Sequence, residues 1–424
     1  MAQLSDDCFA FSGPLLPVSE VERLIGEGVS AVAETETVSL AEGLGRVLVH
    51  DLVSPLDLPP FDNSAVDGYA IRHADLAAAG ETRLKVVDRV TAGRAAASQI
   101  SSGEAVRVFT GAPMPAGADT VFMQEDCRSE GDVVVLPSGL KAGANRRLAG
   151  EDLRAGAVAL PAGRRLAPQH LALAAAMGVH ELEVRRRVRV AVYSTGDEIV
   201  APGRSRPDHS LYDSNRALLV GMLSRLGATV TDLGILADIP EAVVHGVSAA
   251  AVNHDLVLTS GGVSTGEADY VRPALEKVGR LVFWRVGIKP GRPVTMGVIR
   301  GSDLEANTAF VGLPGNPVAV FVTFVRVVRP LVLRLAGALP ETITPLPVRT
   351  TFSYRKKKGR REYVRATITR AADGVVEARK YPQDGAGVIT SLTETDGLVE
   401  LGEDLTEVEA GDQVDFLPYV TLLG

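Results

Sequence analysis

Residues 187–200 read RVRVAVYSTGDEIV: a run rich in β-branched residues that stops abruptly in a loop of Ser, Thr, Gly and two acids. This is the pattern of a buried strand delivering a polar loop. It returns in DLVLTSGGVSTGEADY at 255–270. Between the two, the chain predicts a helix over 213–226 closed by Gly227, a strand over 228–235 and a helix opened by Pro240. Downstream it predicts a helix over 270–278, strands over 281–288, 294–298 and 309–313, and a long last helix beginning at Pro317. Strands alternating with helices at this spacing make a mostly parallel sheet covered on both faces, a three-layer α/β domain, and ligands of such sheets gather at the carboxyl ends of the strands.

Outward from this region the composition changes. Residues 59–148 are rich in Gly, Pro, Val and Thr, with short apolar runs at 83–90, 106–109 and 133–136, which points to a β-rich unit. A helix over Val18–Gly28, with Ser19 as its candidate cap, precedes it, and a helix over 164–177, with Pro168 early and Gly178 just beyond, follows it. Residues 1–58 and 149–185 are therefore read as one discontinuous linking domain into which 59–148 is inserted, and 186–336 as the α/β domain. Pro345 and Pro347 mark a linker, and alternating segments at 362–368 and 375–379 predict a β-barrel-like domain over 337–424.

A chain of 424 residues exceeds what one core organises, and 46% hydrophobic with 23% charged residues is ordinary for a globular protein. A net charge of −8 argues against a general nucleic-acid binder. Cys8 and Cys127 make no CxxC pair, and the acidic start MAQLSDDCFAF lacks the basic region of an export signal, so a reducing cytoplasm is expected. The apolar stretch 318–335 carries Arg326, Arg329, Pro330 and Arg334, which favours a packed helix over a membrane span.

The chemistry gathers in two sets of loops. The α/β reading places Ser194–Glu198, Asp238, Ser260–Asp269, GIKPGRP at 287–293 and GLPGNP at 312–317 on one edge of the sheet. Ser260, Gly261, Gly262, Ser264, Thr265 and Gly266 would offer hydroxyls and backbone N–H groups to a phosphate. Lys289 and Arg292 can neutralise an oxyanion, and the acids Glu198, Asp238 and Asp269 can hold a divalent cation. The second set is PPFDNSAVDGYA at 59–70, FTGAPMP at 109–115 and GEDL at 150–153. Asp and Asn in such segments ordinarily cap turns, and Asp67, beside Gly68, is the expected exception. YRKKKGRR at 354–361 reads as a solvated turn that in an acidic chain can also draw in an anion. No HxH, HExxH, GxSxG or Walker A arrangement occurs, which leaves a zinc centre, a serine hydrolase of the α/β type and a P-loop NTPase without support.

DNSAVDGYA at 62–70, TGAPMPAGAD at 110–119, GEDL at 150–153, STGDEI at 194–199, SGGVSTGEADY at 260–270, IKPGRP at 288–293 and GLPGNP at 312–317 stand in the order seen in MoeA-type molybdopterin molybdenumtransferases, which the chain resembles over nearly its whole length. The resemblance implies a MogA-like α/β domain and a homodimer whose cleft lies between the α/β domain of one subunit and the β-rich domain of the other. It implies Mg2+-dependent insertion of molybdenum from molybdate into adenylylated molybdopterin, with AMP released, a MogA-type adenylyltransferase supplying the substrate and molybdoenzymes downstream. The family's catalytic positions match Asp67, Thr110, Asp152, Glu198, Asp238, Asp269 and Lys289, and its prolines match Pro314 and Pro317. Arg365 and Ser391 resemble molybdate-site contributors. Arg285 stands where relatives often have lysine; the charge is kept, but a planar guanidinium is not an ammonium. The rival readings are an adenylyltransferase on the same fold and a non-enzymatic scaffold like gephyrin.

Overall fold

The computed structural model describes residues 15–97, 99–263, 270–300 and 307–423. These form two compact units, one of residues 51–162 and 168–180, the other of the remaining described residues.

In the larger unit the run at 187–200 becomes strand β1 (Arg189–Thr195), followed by helix α1 (Asn215–Arg225), strand β2 (Thr229–Leu236), helix α2 (Pro240–Ala251), strand β3 (Leu256–Ser260), helix α3 (Val271–Val278) and strands β4 (Gly279–Trp284), β5 (Thr295–Arg300) and β6 (Asn307–Leu313). The sheet order is β2-β1-β3-β6-β5-β4. The first four strands are mutually parallel, while β5 and β4 join antiparallel. Alternation along β1 divides its side chains between two cores. Val190 and Val192 pack with Leu219 and Leu223 of α1, whereas Ala191 and Tyr193 pack with Val243 and Val247 of α2. Each such fully buried aliphatic side chain contributes about 1.5–3 kcal/mol.

The helix beginning at Pro317 continues to Leu335 through a wider π-turn at Phe324–Val328, just ahead of Pro330, whose ring and missing N–H an ordinary helical turn does not accommodate. Each of its arginines has a partner within the fold: Arg326 pairs with Glu400, Arg329 with Glu341, and Arg334 donates to Val29 O. Among the described residues no helix is long and apolar enough to cross a membrane.

Strands β7 (Leu346–Thr350), β8 (Arg361–Arg370), β9 (Val376–Lys380), β10 (Gly397–Leu401) and β11 (Gln413–Pro418) close into a five-stranded barrel in the order β8-β9-β7-β11-β10 and back to β8. Val348, Val364, Ala366, Val399 and Phe416 fill it. The smaller unit carries a six-stranded mixed sheet in which Gly68–Ile71 lies between Thr120–Met123 and Glu104–Val108.

Four sequence expectations are corrected. The strand expected over 281–288 ends at Trp284, because Arg285 adopts a left-handed φ of 78° and Gly287 N–H turns to Leu16 O. Ile288–Lys289 then pairs in parallel with Arg361–Glu362 of the barrel. The helix at Val18 starts from Pro17, so Ser19 lies inside its first turn instead of capping it. The helix expected from 164 begins at Pro168, since proline disfavours helical backbone in the residue before it. Helix α1 begins at Asn215, and Asp213 lies outside it, accepting the Arg216 N–H at 3.1 Å.

Candidate functional site

At the carboxyl edge of the sheet the loop after β3 is locked to its neighbours. Gly261 and Gly262 have φ of 98° and 63°, and a Cβ on Gly261 would sit 2.5 Å from Thr195 O. Only glycine lets this loop lie so close to the end of β1. Ser260 is buried; its Oγ accepts from Asn215 Nδ2 at 3.0 Å and donates to Pro314 O at 3.2 Å. Asn215 Nδ2 also donates to Gly315 O at 2.7 Å. Ser260 Oγ and the Gly261 N–H, which donates to Leu313 O, are thus engaged in setting the loop. Ser264, Thr265, Gly266 and Asp269 lie outside the described residues.

The loops after β1 and β2 meet through the Asp238 N–H, which donates to Asp197 Oδ1 at 3.3 Å. Glu198 is exposed and its carboxylate folds over Gly196, where an added Cβ would come within 2.6 Å of Oε2. Among the described residues no three His, Cys, Asp or Glu side chains gather to hold a metal. The donor chemistry of these two loops nonetheless suits Mg2+, which takes one or two carboxylates together with substrate phosphate oxygens.

A cavity of about 510 Å³ opens between the loops after β4 and β6 and the barrel, lined by Lys289, Arg292, Pro314, Asn316, Tyr354 and Arg365 among others. The short pairing of Ile288–Lys289 with β8 delivers Lys289 to it. Lys289 Nζ donates to Glu362 Oε2 at 2.9 Å and to Tyr354 OH at 3.2 Å, while Tyr354 OH donates to the same carboxylate oxygen at 2.9 Å. Burial works against the ammonium, but these bonds outweigh it and hold the Lys289 pKa above its usual value. Arg365 is only 5% exposed. Its Nε donates to Ser391 Oγ at 3.1 Å and its Nη2 to the carbonyls of Gln383 and Gly385 at 2.9 and 3.1 Å. Ser391 is fully buried, so it orients Arg365 and does not line the cavity itself. Pro317 opens the long helix, and Pro314, through its bond to Ser260, belongs to both the cavity and the sheet edge. Arg285 stacks its guanidinium 3.9 Å from the Trp284 ring centroid, and Arg292 is exposed at the cavity rim.

In the smaller unit the three predicted segments are tied together. Gly111 N–H donates to Ser64 O, Met114 N–H to Asp62 O, and Gly150 N–H to Pro59 O. Asp67 Oδ1 accepts from the backbone N–H and the hydroxyl of Thr110, each at 2.8 Å, and these bonds lower its pKa. Asp62 has the structural role expected of a turn acid, accepting from Arg146 Nε and from Ala149 N–H. Asp152 is exposed, its N–H bonded to Leu58 O.

Sequence reasoning gives no role to Asn215 or Glu362, and includes Asn316 and Tyr354 only as members of the GLPGNP and YRKKKGRR segments. The signal for Asn215 was its place at the start of the helix after the STGDE loop. Glu362 carried none, because its partner Lys289 is far away along the chain.

Three family models match the chain: the MoeA N-terminal region (domain I and II) over residues 16–178, the probable molybdopterin binding domain over 191–334, and the MoeA C-terminal region (domain IV) over 347–419. A molybdopterin molybdenumtransferase of Haemophilus influenzae is 35% identical over 412 residues, covering 97% of this chain and 100% of the relative. One from a Nostoc species is 36% identical over 388 residues, covering 90% and 88% respectively. The crystal structure of a molybdopterin biosynthesis moeA protein from Pyrococcus horikoshii superposes with a TM-score of 0.80 at 28% identity, covering 96% of this chain and 100% of that one.

Proposed function

The chain belongs to the MoeA family, and from that premise we propose that it is a molybdopterin molybdenumtransferase that inserts molybdenum from molybdate into adenylylated molybdopterin and releases AMP. The observation that carries this reading is the continuity between the sheet edge and the cationic cavity, made by the Ser260–Pro314 hydrogen bond. It brings the end of β3 and an oxyanion pocket onto one protein surface.

The loop Ser260–Gly266 takes the pterin-side phosphate, with Arg285 beside it. Lys289, Arg292 and Arg365 hold molybdate and the developing phosphate charge, and Ser391 keeps the Arg365 fork aimed by accepting from its Nε. Pro314 and Pro317 stiffen the loop that shapes the cavity wall. Glu198, Asp238 and Asp269 are the residues that would hold Mg2+, which when bound neutralises phosphoanhydride oxygens. Asp67, Thr110 and Asp152 act from the second subunit of a homodimer. The Thr110 bonds lower the Asp67 pKa further, so Asp67 serves as an ionised hydrogen-bond acceptor. The chain divides into a linking domain of 1–58 and 149–185, an inserted domain of 59–148, the α/β domain of 186–336 and the barrel domain of 337–424. The protein works in the cytoplasm, receives substrate from a MogA-type adenylyltransferase and supplies molybdoenzymes.

Incubation with adenylylated molybdopterin, molybdate and Mg2+ should release AMP, and Asp269→Asn should suppress the metal-dependent part while leaving dimerisation intact. ATP-dependent formation of the adenylylated pterin would instead make the protein an adenylyltransferase, and failure of both reactions would leave only a scaffold.

A further inference from the structure

In the smaller unit two arginines stand opposite each other without a carboxylate in contact with either. Arg89 and Arg107 are register partners on adjacent strands, so their side chains share one face of the sheet. Like charges directly opposite each other in a sheet destabilise it. Four other arginines of this unit are in ion pairs: Arg83 with Glu130, Arg128 with Glu81, Arg146 with Asp62 and Arg147 with Glu151. Among the described residues neither Arg89 nor Arg107 makes an ion pair. Asp67 and Glu125 are near enough to interact with the Arg107 charge but take their hydrogen bonds elsewhere, Asp67 from Thr110 and Glu125 from Gln124, while Asp88 accepts from the N–H groups of Arg89 and Ala97.

The guanidinium groups are nevertheless held in place. Arg89 Cζ lies 4.8 Å and Arg107 Cζ 5.2 Å from the centroid of Phe109, and Arg107 is also 4.9 Å from the Tyr69 centroid. Gln124 Oε1 accepts from Arg107 Nη2. Aromatic faces orient guanidinium planes while leaving their outward N–H groups for another acceptor. Phe109 adjoins Thr110 in sequence, and Thr110 is bonded to Asp67.

We propose that Arg89 and Arg107, carried on Tyr69 and Phe109, form an anion subsite beside Asp67 and Thr110 that binds the phosphoanhydride of the nucleotide-bearing substrate. This rests on the function proposed above. An anion that bridges the two guanidinium groups offsets their mutual repulsion, which favours binding. The interaction is charge-assisted and weakens with salt.

The test is calorimetric titration of the intact protein with inorganic pyrophosphate, together with thermal unfolding, for the wild type and the Arg89→Gln/Arg107→Gln variant. The variant should lose affinity at one class of site by about tenfold, while its Tm stays equal or rises because a like-charge pair has gone. Arg89→Lys/Arg107→Lys keeps both charges without the planar forks and should lose about threefold. Unchanged pyrophosphate binding in the Gln variant, or a fall in its Tm, overturns the proposal, since the arginines would then serve the fold. A wild type that binds pyrophosphate in this way yet releases no AMP from adenylylated molybdopterin would overturn the assigned reaction and leave the subsite standing.

Discussion

Lys289 and Asp67 are both charged, both hydrogen-bonded and both delivered by loops, yet the protein holds them in different ways. Lys289 is anchored to Glu362, only 1% exposed, and to Tyr354, at the wall of a cavity shared with the barrel. Asp67 is held at an open surface by two bonds from one residue, Thr110. A charge tied to a buried partner belongs to the fold as well as to the site, whereas a charge on a solvated edge can be altered with little cost to folding. Substitutions in the two regions should therefore separate activity from stability differently.

The largest effect is expected from Lys289→Ala. It removes a cation from the cavity and takes a partner from a buried carboxylate, so AMP release should fall by about a thousandfold. Stability should fall by about 1–2 kcal/mol, discounted because the ammonium is half exposed. Equal stability in denaturant titration would show that Tyr354 and Arg360 suffice for Glu362, and would weaken the contrast. Asp67→Asn should reduce turnover by about a hundredfold with only a small fall in Tm; a substantial loss of Tm would mean that the open site is structural after all.

Between these regions, Gly261→Ala places a Cβ 2.5 Å from Thr195 O at a left-handed φ, and should cost about 2–3 kcal/mol by chemical denaturation. Ser391→Ala leaves Arg365 Nε without its acceptor, so the KM for molybdate should rise by about tenfold.

The smallest effect is on pH dependence, and the two charges act at opposite ends of the scale. Asp67 has a lowered pKa in the folded protein, so its contribution is present above the unfolded value of about 4 and lost as pH falls through the folded one. Lys289 has a raised pKa, so its contribution is complete below about 10.4 and lost as pH rises through the folded value. Thermal unfolding across pH should show Asp67→Asn flattening only the acid limb and Lys289→Ala only the alkaline limb.

The α/β core was legible because its signals are local: β1 alternates, its loop is polar, and Gly227 and Pro240 punctuate the helices around it. The barrel, too, announced itself in its alternating strands. The antiparallel entry of β5 and β4 was not legible, since strand direction is decided by how the chain returns and not by side-chain period. The split after Trp284 was hidden for a related reason: a non-glycine residue with positive φ leaves no mark in composition. In the proposed site, residues carried by recognisable loops, such as Lys289 and Asp67, could be nominated from the sequence. Asn215 and Glu362 were not, because their importance lies in contacts with loops distant in sequence.

Under the proposed function the Lys289 cavity and the Asp67–Thr110 cluster serve one reaction across a dimer. Mixed dimers of Lys289→Ala and Asp67→Asn subunits test it directly, because each variant alone should keep no more than about a hundredth of wild-type activity. If the site is shared, heterodimers contain one intact set of residues, and random mixing should restore about a quarter of wild-type AMP release. No recovery despite demonstrated subunit exchange would contradict the account and place both groups of residues in separate functions or within one subunit.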